Sequence, residues 1–279
     1  MRPLLVLAVS LACGSAIPEA AAAPAAGTQN PQISYVKSAR GYQLIVADVD
    51  GGGARGIYSS IRMLSGELGG DGRIYFWDGG RFAHMPATGG AAQTLFDTNR
   101  TIPNHSDLAP NGNSMAWFDS VSGTLFRYDF ASGSQQPLAS AAMILDLTFD
   151  FTGASVIYLE QVGDTDYELK SVPAGGGSPL SLGLVGRFSG FDSARRDDTL
   201  ALTVNPAGAA PYVAVWKPGM AAPVKIADGY NPTYSCDDSA IYYNRMSSSG
   251  PALYRRTANG AISQVAKPSA IFASARPVC

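Results

Sequence analysis

The sequence predicts an all-β fold made of six repeated four-stranded antiparallel units. Three observations predict it. A turn rich in Gly, Asp and Ser leads into a short apolar, aromatic run near Ile33, Ile74, Met115, Val156, Leu200 and Ile241, at intervals of 41, 41, 41, 44 and 41 residues. Beyond the N-terminus no segment carries an apolar stripe at helical spacing over about ten residues. The 31 Gly and 18 Pro suit a chain dense in turns, and the 13 Tyr and 11 Phe suit strands. Short, evenly spaced strands could also form a sandwich, but a sandwich requires no internal repeat. A propeller does, because each four-stranded blade buries its faces only against its neighbours.

The elements follow in chain order. Unit one has strands over Gln32–Val36 and Tyr42–Ala47, with a turn at Asp50–Gly53. Unit two is the clearest: Arg73–Trp77 (RIYFW), a tight connection Asp78–Arg81, Phe82–Pro86, a turn Ala87–Gly90, and Ala92–Phe96. Unit three has Ser114–Phe118, Thr124–Asp129 and Gln135–Leu138; unit four has Ser155–Glu160, Tyr167–Val172 and Pro179–Leu182. Unit five has Thr199–Val204, Tyr212–Trp216 and Pro223–Ile226; unit six has Ala240–Asn244, Ala252–Arg255 and Ile262–Val265. A fourth segment precedes each Asp/Gly turn, as in Ile144–Phe149 and Pro232–Ser235, and would be the innermost strand.

Unit one has no good inner copy on its N-terminal side, where Ala/Pro sequence precedes Gln32. The count therefore assigns the tail, Ala275–Cys279, to the first blade, with this C-terminal strand closing the ring and removing its free edges. The same alignment puts Cys236 and Cys279 at the ends of adjacent inner strands. A disulfide between them is expected, with two inert thiols as the alternative.

Residues 1–26 read as a signal peptide and lead-in, and 27–279 as a single propeller domain. Met1-Arg2 gives a positive end, Pro3–Ala12 is apolar but too short to span a bilayer, and Ala20–Ala26 supplies small residues for cleavage. The expectation is export to the periplasm or beyond, with no transmembrane anchor. Ser10-Leu11-Ala12-Cys13 offers the alternative of a lipid anchor at Cys13 in an outer-membrane lipoprotein, although Ser10 stands where an aliphatic residue is normal.

The units resemble the PD40 repeats of the TolB-type propeller family of exported bacterial proteins. The resemblance lies in an S-P-D-G-like turn, here Ala109-Pro110-Asn111-Gly112, Asp150-Phe151-Thr152-Gly153 and Ser235-Cys236-Asp237-Asp238. It lies also in a D-x-x-G-like turn, here Asp48-Val49-Asp50-Gly51 and Thr257-Ala258-Asn259-Gly260. It covers about residues 32–279. It implies a six-bladed ring, often exported and often an interaction module. Unit five departs from the pattern at Ala194–Asp198, which lacks a turn glycine, and the chain has no room for the helical N-terminal domain of TolB itself.

Composition limits the chemistry. A net charge of −2 provides no basic field for a phosphate backbone, so nucleic acid is not an expected partner. Two histidines and the few cysteines lie too far apart in sequence for a metal centre, and no cofactor motif or G-x-S-x-G nucleophile occurs. Asp48/Asp50 and Asp164/Asp166/Glu168 are acidic turns without the full oxygen set of a calcium loop. His84 sits mid-strand and reads as a packed residue. The residues left for a ligand site are Asp78, Asp119 and Glu160, at equivalent strand ends that could form an acidic rim, and His105 in a loop beside an inner strand. The aromatic residues Trp77, Trp117, Tyr158, Tyr242 and Tyr243 read mostly as blade-to-blade core. Together these point to a binding module for an envelope protein or peptide. A propeller hydrolase or lyase acting on a saccharide or peptide, and an envelope scaffold, remain as alternatives.

Overall fold

A computed structural model describes residues 32–38, 41–48, 50, 52–62, 64–69, 71–98, 105–235, 237–248, 250–266 and 272–277. The expected signal segment, Cys13, and the expected disulfide partners Cys236 and Cys279 lie outside these residues. The first blade holds β1 (Gln32–Ser38), β2 (Tyr42–Asp48) and β3 (Arg55–Ser60). The second holds β4 (Leu64–Leu68), β5 (Arg73–Asp78), β6 (Arg81–Pro86) and β7 (Gln93–Asp97). The third holds β8 (Ser106–Leu108), β9 (Ser114–Asp119), β10 (Thr124–Asp129) and β11 (Ser134–Ser140). The fourth is β12 (Ile144–Phe149), β13 (Ser155–Gln161), β14 (Tyr167–Pro173) and β15 (Leu180–Gly186). The fifth is β16 (Phe188–Ser193), β17 (Leu200–Val204), β18 (Tyr212–Trp216) and β19 (Val224–Asp228). The sixth is β20 (Tyr230–Tyr234), β21 (Ala240–Ser247), β22 (Gly250–Thr257) and β23 (Ile262–Ala266), and β24 (Phe272–Pro277) follows it. These form six four-stranded antiparallel sheets.

The second strand of every blade explains the repeat. In β5, Ile74 and Phe76 join Leu44, Val46 and Met85 in one cluster, while Tyr75 and Trp77 join Met115 and Trp117 in another. Successive side chains point to opposite faces of a strand, and each face of a blade is covered by a neighbour. A near-continuous apolar run is therefore required. The pattern repeats: Ala116 and Phe118 of β9 meet Val156 and Tyr158 of β13, and Leu159 of β13 meets Leu200 and Leu202 of β17. Ala201 and Val213 pack with Ile241 and Tyr243 at the next seam. Six clusters thus fill six seams.

The expected closure needs correction. No sheet is closed by hydrogen bonds: each is open, and β24 takes the first place in the order β24-β1-β2-β3 as an edge strand of the first blade's sheet. The seam between the last blade and the first is held by side chains. Tyr35, Ile45 and Ala47 of blade one pack against Tyr242 and Leu253 of blade six. Blades in this arrangement meet face to face, so their ladders run alongside one another without joining, and the edges that closure was expected to remove persist as strand edges in each blade.

Turns between first and second strands, and between third and fourth, lie on one side of the ring, the turn face. Hairpins between second and third strands, and the connections between blades, lie on the other, the connector face. At equivalent first turns Gly112 and Gly153 have φ of 68° and 73°, while blade six has Asp238 at 54°. That left-handed conformation is unfavourable for a side chain, although Asp tolerates it better than most. The Asp238 carboxylate accepts the backbone N–H of Arg195 in blade five at 2.8 and 3.0 Å, an interaction glycine could not make.

Candidate functional site

The inner strands surround a cavity of about 190 Å³, lined by β4, β8, β12, β16 and β20 and by Tyr75, Trp77 and Phe82. Two polar layers build it. The deeper one comes from the residue two places before each blade's first turn: Glu67, Asp107, Thr148, Asp192 and Thr233, all buried, of which Glu67 and Thr233 line the cavity. Asp107 Oδ2 accepts Thr148 Oγ1–H at 2.6 Å and Phe149 N–H at 2.8 Å, which ties blade three to blade four. Asp192 Oδ2 accepts Tyr234 N–H at 2.8 Å, tying blade five to blade six, and lies 3.6 Å from Arg195 Nη2. Burial raises the Asp192 pKa, opposed by Arg195 and by the backbone donors.

The outer layer lies two residues earlier in the same strands, towards the connector face. It contains Ser65, His105, Asp146 and Asn231. Asp146 Oδ2 accepts Phe191 N–H at 2.8 Å, and Oδ1 accepts Leu147 N–H at 2.9 Å. His105 Nδ1 stands 3.3 Å from Asp146 Oδ1. Asp107, Asp146 and Asp192 each bond the next blade, and Asp146 with Glu67 puts carboxylates in the cavity lining.

Of the residues read from sequence, His105 reaches this cavity. Asp78, Asp119 and Glu160 stand at equivalent strand ends on the connector face, outside it. Asp78 is buried and accepts Tyr58 Oη–H, Ser60 Oγ–H and Arg81 Nη2–H, each at 2.7 Å. Burial pushes its carboxyl up, and the bonds from Ser60, Tyr58 and Arg81 more than offset this, leaving it below the usual carboxylate range. Asp119 caps its own hairpin through Val121 N–H and Ser122 Oγ–H. Glu160 pairs with Lys170 at 2.8 Å, and Lys170 also meets Glu168 at 3.3 Å. Asp50 accepts Gly52 N–H in a local turn. Sequence reading missed Asp107, Asp146 and Asp192. Aligning the inner strands on their following turns would have found the first and last, at the same position two blades apart.

Among the described residues no group of three or more His, Cys, Asp or Glu could hold a metal ion. His84 is buried opposite Tyr75, with ring centres 5.6 Å apart. Trp77, Trp117, Tyr158, Tyr242 and Tyr243 are all buried. On the turn face a wider crevice of about 540 Å³ is lined by Asp71, Arg73, Asn111, Asn113 and Phe130. Asp71 there is engaged by Tyr75 Oη–H at 2.9 Å and by Arg73 at 3.7 Å.

Six open sheets around a central cavity, with the chain's tail in the first blade, decide the comparison. The fold is that of the TolB propeller. TolB from Acinetobacter baumannii superposes with a TM-score of 0.78 at 16% identity, over 89% of this chain and 66% of that one. A putative TolB from Agrobacterium tumefaciens gives 0.67 at 12%, covering 84% of this chain and 87% of that one. A chain of the nidogen/laminin complex gives 0.68 at 10%, covering 89% and 98%. This chain spans about two thirds of the length of the Acinetobacter TolB. No protein-family model matches the sequence, and no curated protein matches it. Among the described residues no helix is long and apolar enough to cross a membrane.

Proposed function

We propose that this chain is an exported binding module that recognises a protein or peptide of the cell envelope on the connector face of its ring. One observation carries the reading. Of the ten exposed large apolar residues among the described ones, six, Ile61, Val121, Met143, Val162, Val185 and Met246, belong to connections, hairpins or strand ends on the side where the cavity's outer layer lies, and the other four, Leu180, Met220, Val224 and Ile262, lie towards the turn face. Ile61 is 92% exposed and Val121 66%. Exposed apolar groups rimming a polar cavity suit a docked chain, whose side chains gain burial at the rim and polar contacts at the centre.

The test is capture from the native envelope fraction. The wild-type chain is compared with Ile61→Glu/Val121→Glu and with an opposite-side control, Leu180→Glu/Ile262→Glu. Loss of a partner in the first variant alone supports the reading; equal capture by all three overturns it. A second reading, hydrolysis or lyase chemistry on a saccharide or peptide, draws on the approach of His105 to Asp146 at 3.3 Å inside a cavity that also holds Glu67. Turnover of a glycan or peptide library that His105→Ala abolishes would favour it.

A further inference from the structure

We propose that the cavity is a slot for one basic side chain, lysine or arginine, carried by the segment that docks on the connector face; this rests on the binding reading above. Three observations lead to it. The first is an opening in the ring. Among the described residues every other pair of neighbouring inner strands packs closely, while β4 and β8 scarcely meet. The cavity runs into that gap, from Asp146 and Asn231 at the centre to Tyr75, Trp77 and Phe82 in the seam between blades two and three.

The second is charge. The described residues that line the slot include Glu67 and Asp146 but no lysine or arginine. The carboxylate of Asp146 is met by two backbone N–H groups and by His105. A cation entering from solvent meets a negative, partly desolvated site, where attraction is stronger than at an open surface.

The third is shape and lining. About 190 Å³ is the liquid share of roughly six waters, enough for one long side chain. Tyr75, Trp77, Phe82 and Phe191 supply apolar and aromatic surface along the walls. Trp77 is held in place by donating Nε1–H to Ser106 Oγ at 3.1 Å. An aliphatic stem lies well against such walls with its charged head at a carboxylate, and the aromatic groups attract the cation further.

The test uses the full chain and blocked pentapeptides of four glycines around a central lysine, arginine, citrulline or norleucine, with putrescine as a free diamine, by calorimetry and tryptophan fluorescence. The basic peptides are expected to bind at least ~10-fold more tightly than the citrulline and norleucine peptides, and binding is expected to weaken as salt rises. Asp146→Asn is expected to reduce that affinity by about 10-fold. Because Asp146 also bonds Phe191, a second variant is needed: Ser65→Lys places a cation in the slot without removing an inter-blade bond, and is expected to abolish peptide binding while melting as the wild type does. Equal binding of the norleucine peptide, no saturable binding of the basic peptides up to about 10 mM, or undiminished binding by Ser65→Lys overturns the proposal. Binding of putrescine without the peptides overturns the protein source of the cation. Partner capture that depends on Ile61 and Val121 but not on Ser65→Lys would leave the binding reading intact and remove this one alone.

Discussion

Tyr58 in the last strand of blade one donates its hydroxyl to Asp78 in blade two at 2.7 Å, and Arg81 Nη2 donates to both, at 2.7 Å each. With Ser60 on the second carboxylate oxygen, Asp78 gathers three donors and joins two blades near the connector face. Asp78→Ala leaves those donors without their shared acceptor. It is expected to cost about 2–3 kcal/mol, the scale of losing hydrogen bonds to a charged group, and to lower Tm accordingly in thermal melts. The folded-state pKa of Asp78 is depressed, so its contribution is present above the unfolded carboxylate value and is lost as pH falls through the folded one. The gap between wild type and Asp78→Ala should therefore close on acidification. A gap that persists in acid would show that the carboxylate charge is not what joins the blades.

His84 carries a second pH dependence of stability, and this time the group is a base. Burial, helped by Arg73, holds it below the ordinary imidazole range, and Asp71 opposes the shift. The folded state thus prefers the neutral ring. The resulting stability is present above the unfolded value of about 6.5 and is lost as pH falls towards and through the folded one. His84→Gln removes this term, so its Tm should fall less than that of the wild type between about pH 7 and pH 5. Parallel melting curves across that range would remove His84 from the acid sensitivity of the fold.

The seam that joins the last blade to the first makes a third case. Tyr242 is buried there against Tyr35, Ile45 and Ala47. If this apolar cluster supports the seam, Tyr242→Ala should destabilise like other large core truncations, by about 3–5 kcal/mol, and denaturant melts would read it. A loss under about 1 kcal/mol would mean that this seam is held by something other than its apolar cluster.

These seams explain what was legible in the sequence. The second strands could be read because each buries both faces: Ile74, Met115, Val156, Leu200 and Ile241 all fall at or next to the start of a second strand, and Ile33 sits in β1. β3 (Arg55–Ser60) gave no such signal, being half-exposed and holding Gly56. Of the inner strands, β12 (ILDLTF) could be read from its apolar residues, whereas β8 has three residues and no apolar run marks it. Their carboxylates act on partners 42 to 45 residues away, a distance that local spacing cannot register. Asp78 read as part of an acidic ligand rim because residues that bond it, Tyr58 and Ser60, belong to the blade before it.

The buried carboxylates of the inner strands make the last prediction. Asp107 and Thr148 lie in neighbouring inner strands, both buried, and are joined by a 2.6 Å hydrogen bond. Thr148 has one hydroxyl proton, and its shortest contact directs that proton to Asp107. The same oxygen also takes Phe149 N–H, so Asp107→Ala removes two bonds between blades three and four, whereas Thr148→Val removes one and keeps the shape. The single variants should cost different amounts, with Asp107→Ala the larger. Their double-mutant cycle should give a coupling of about 1–2 kcal/mol, as expected for residues in direct contact within one buried network. The coupling is the decisive number, since each single loss also includes the cost of leaving a buried group without its acceptor or donor. A coupling within about 0.3 kcal/mol of zero would mean that the two blades gain nothing from this bond beyond their packing.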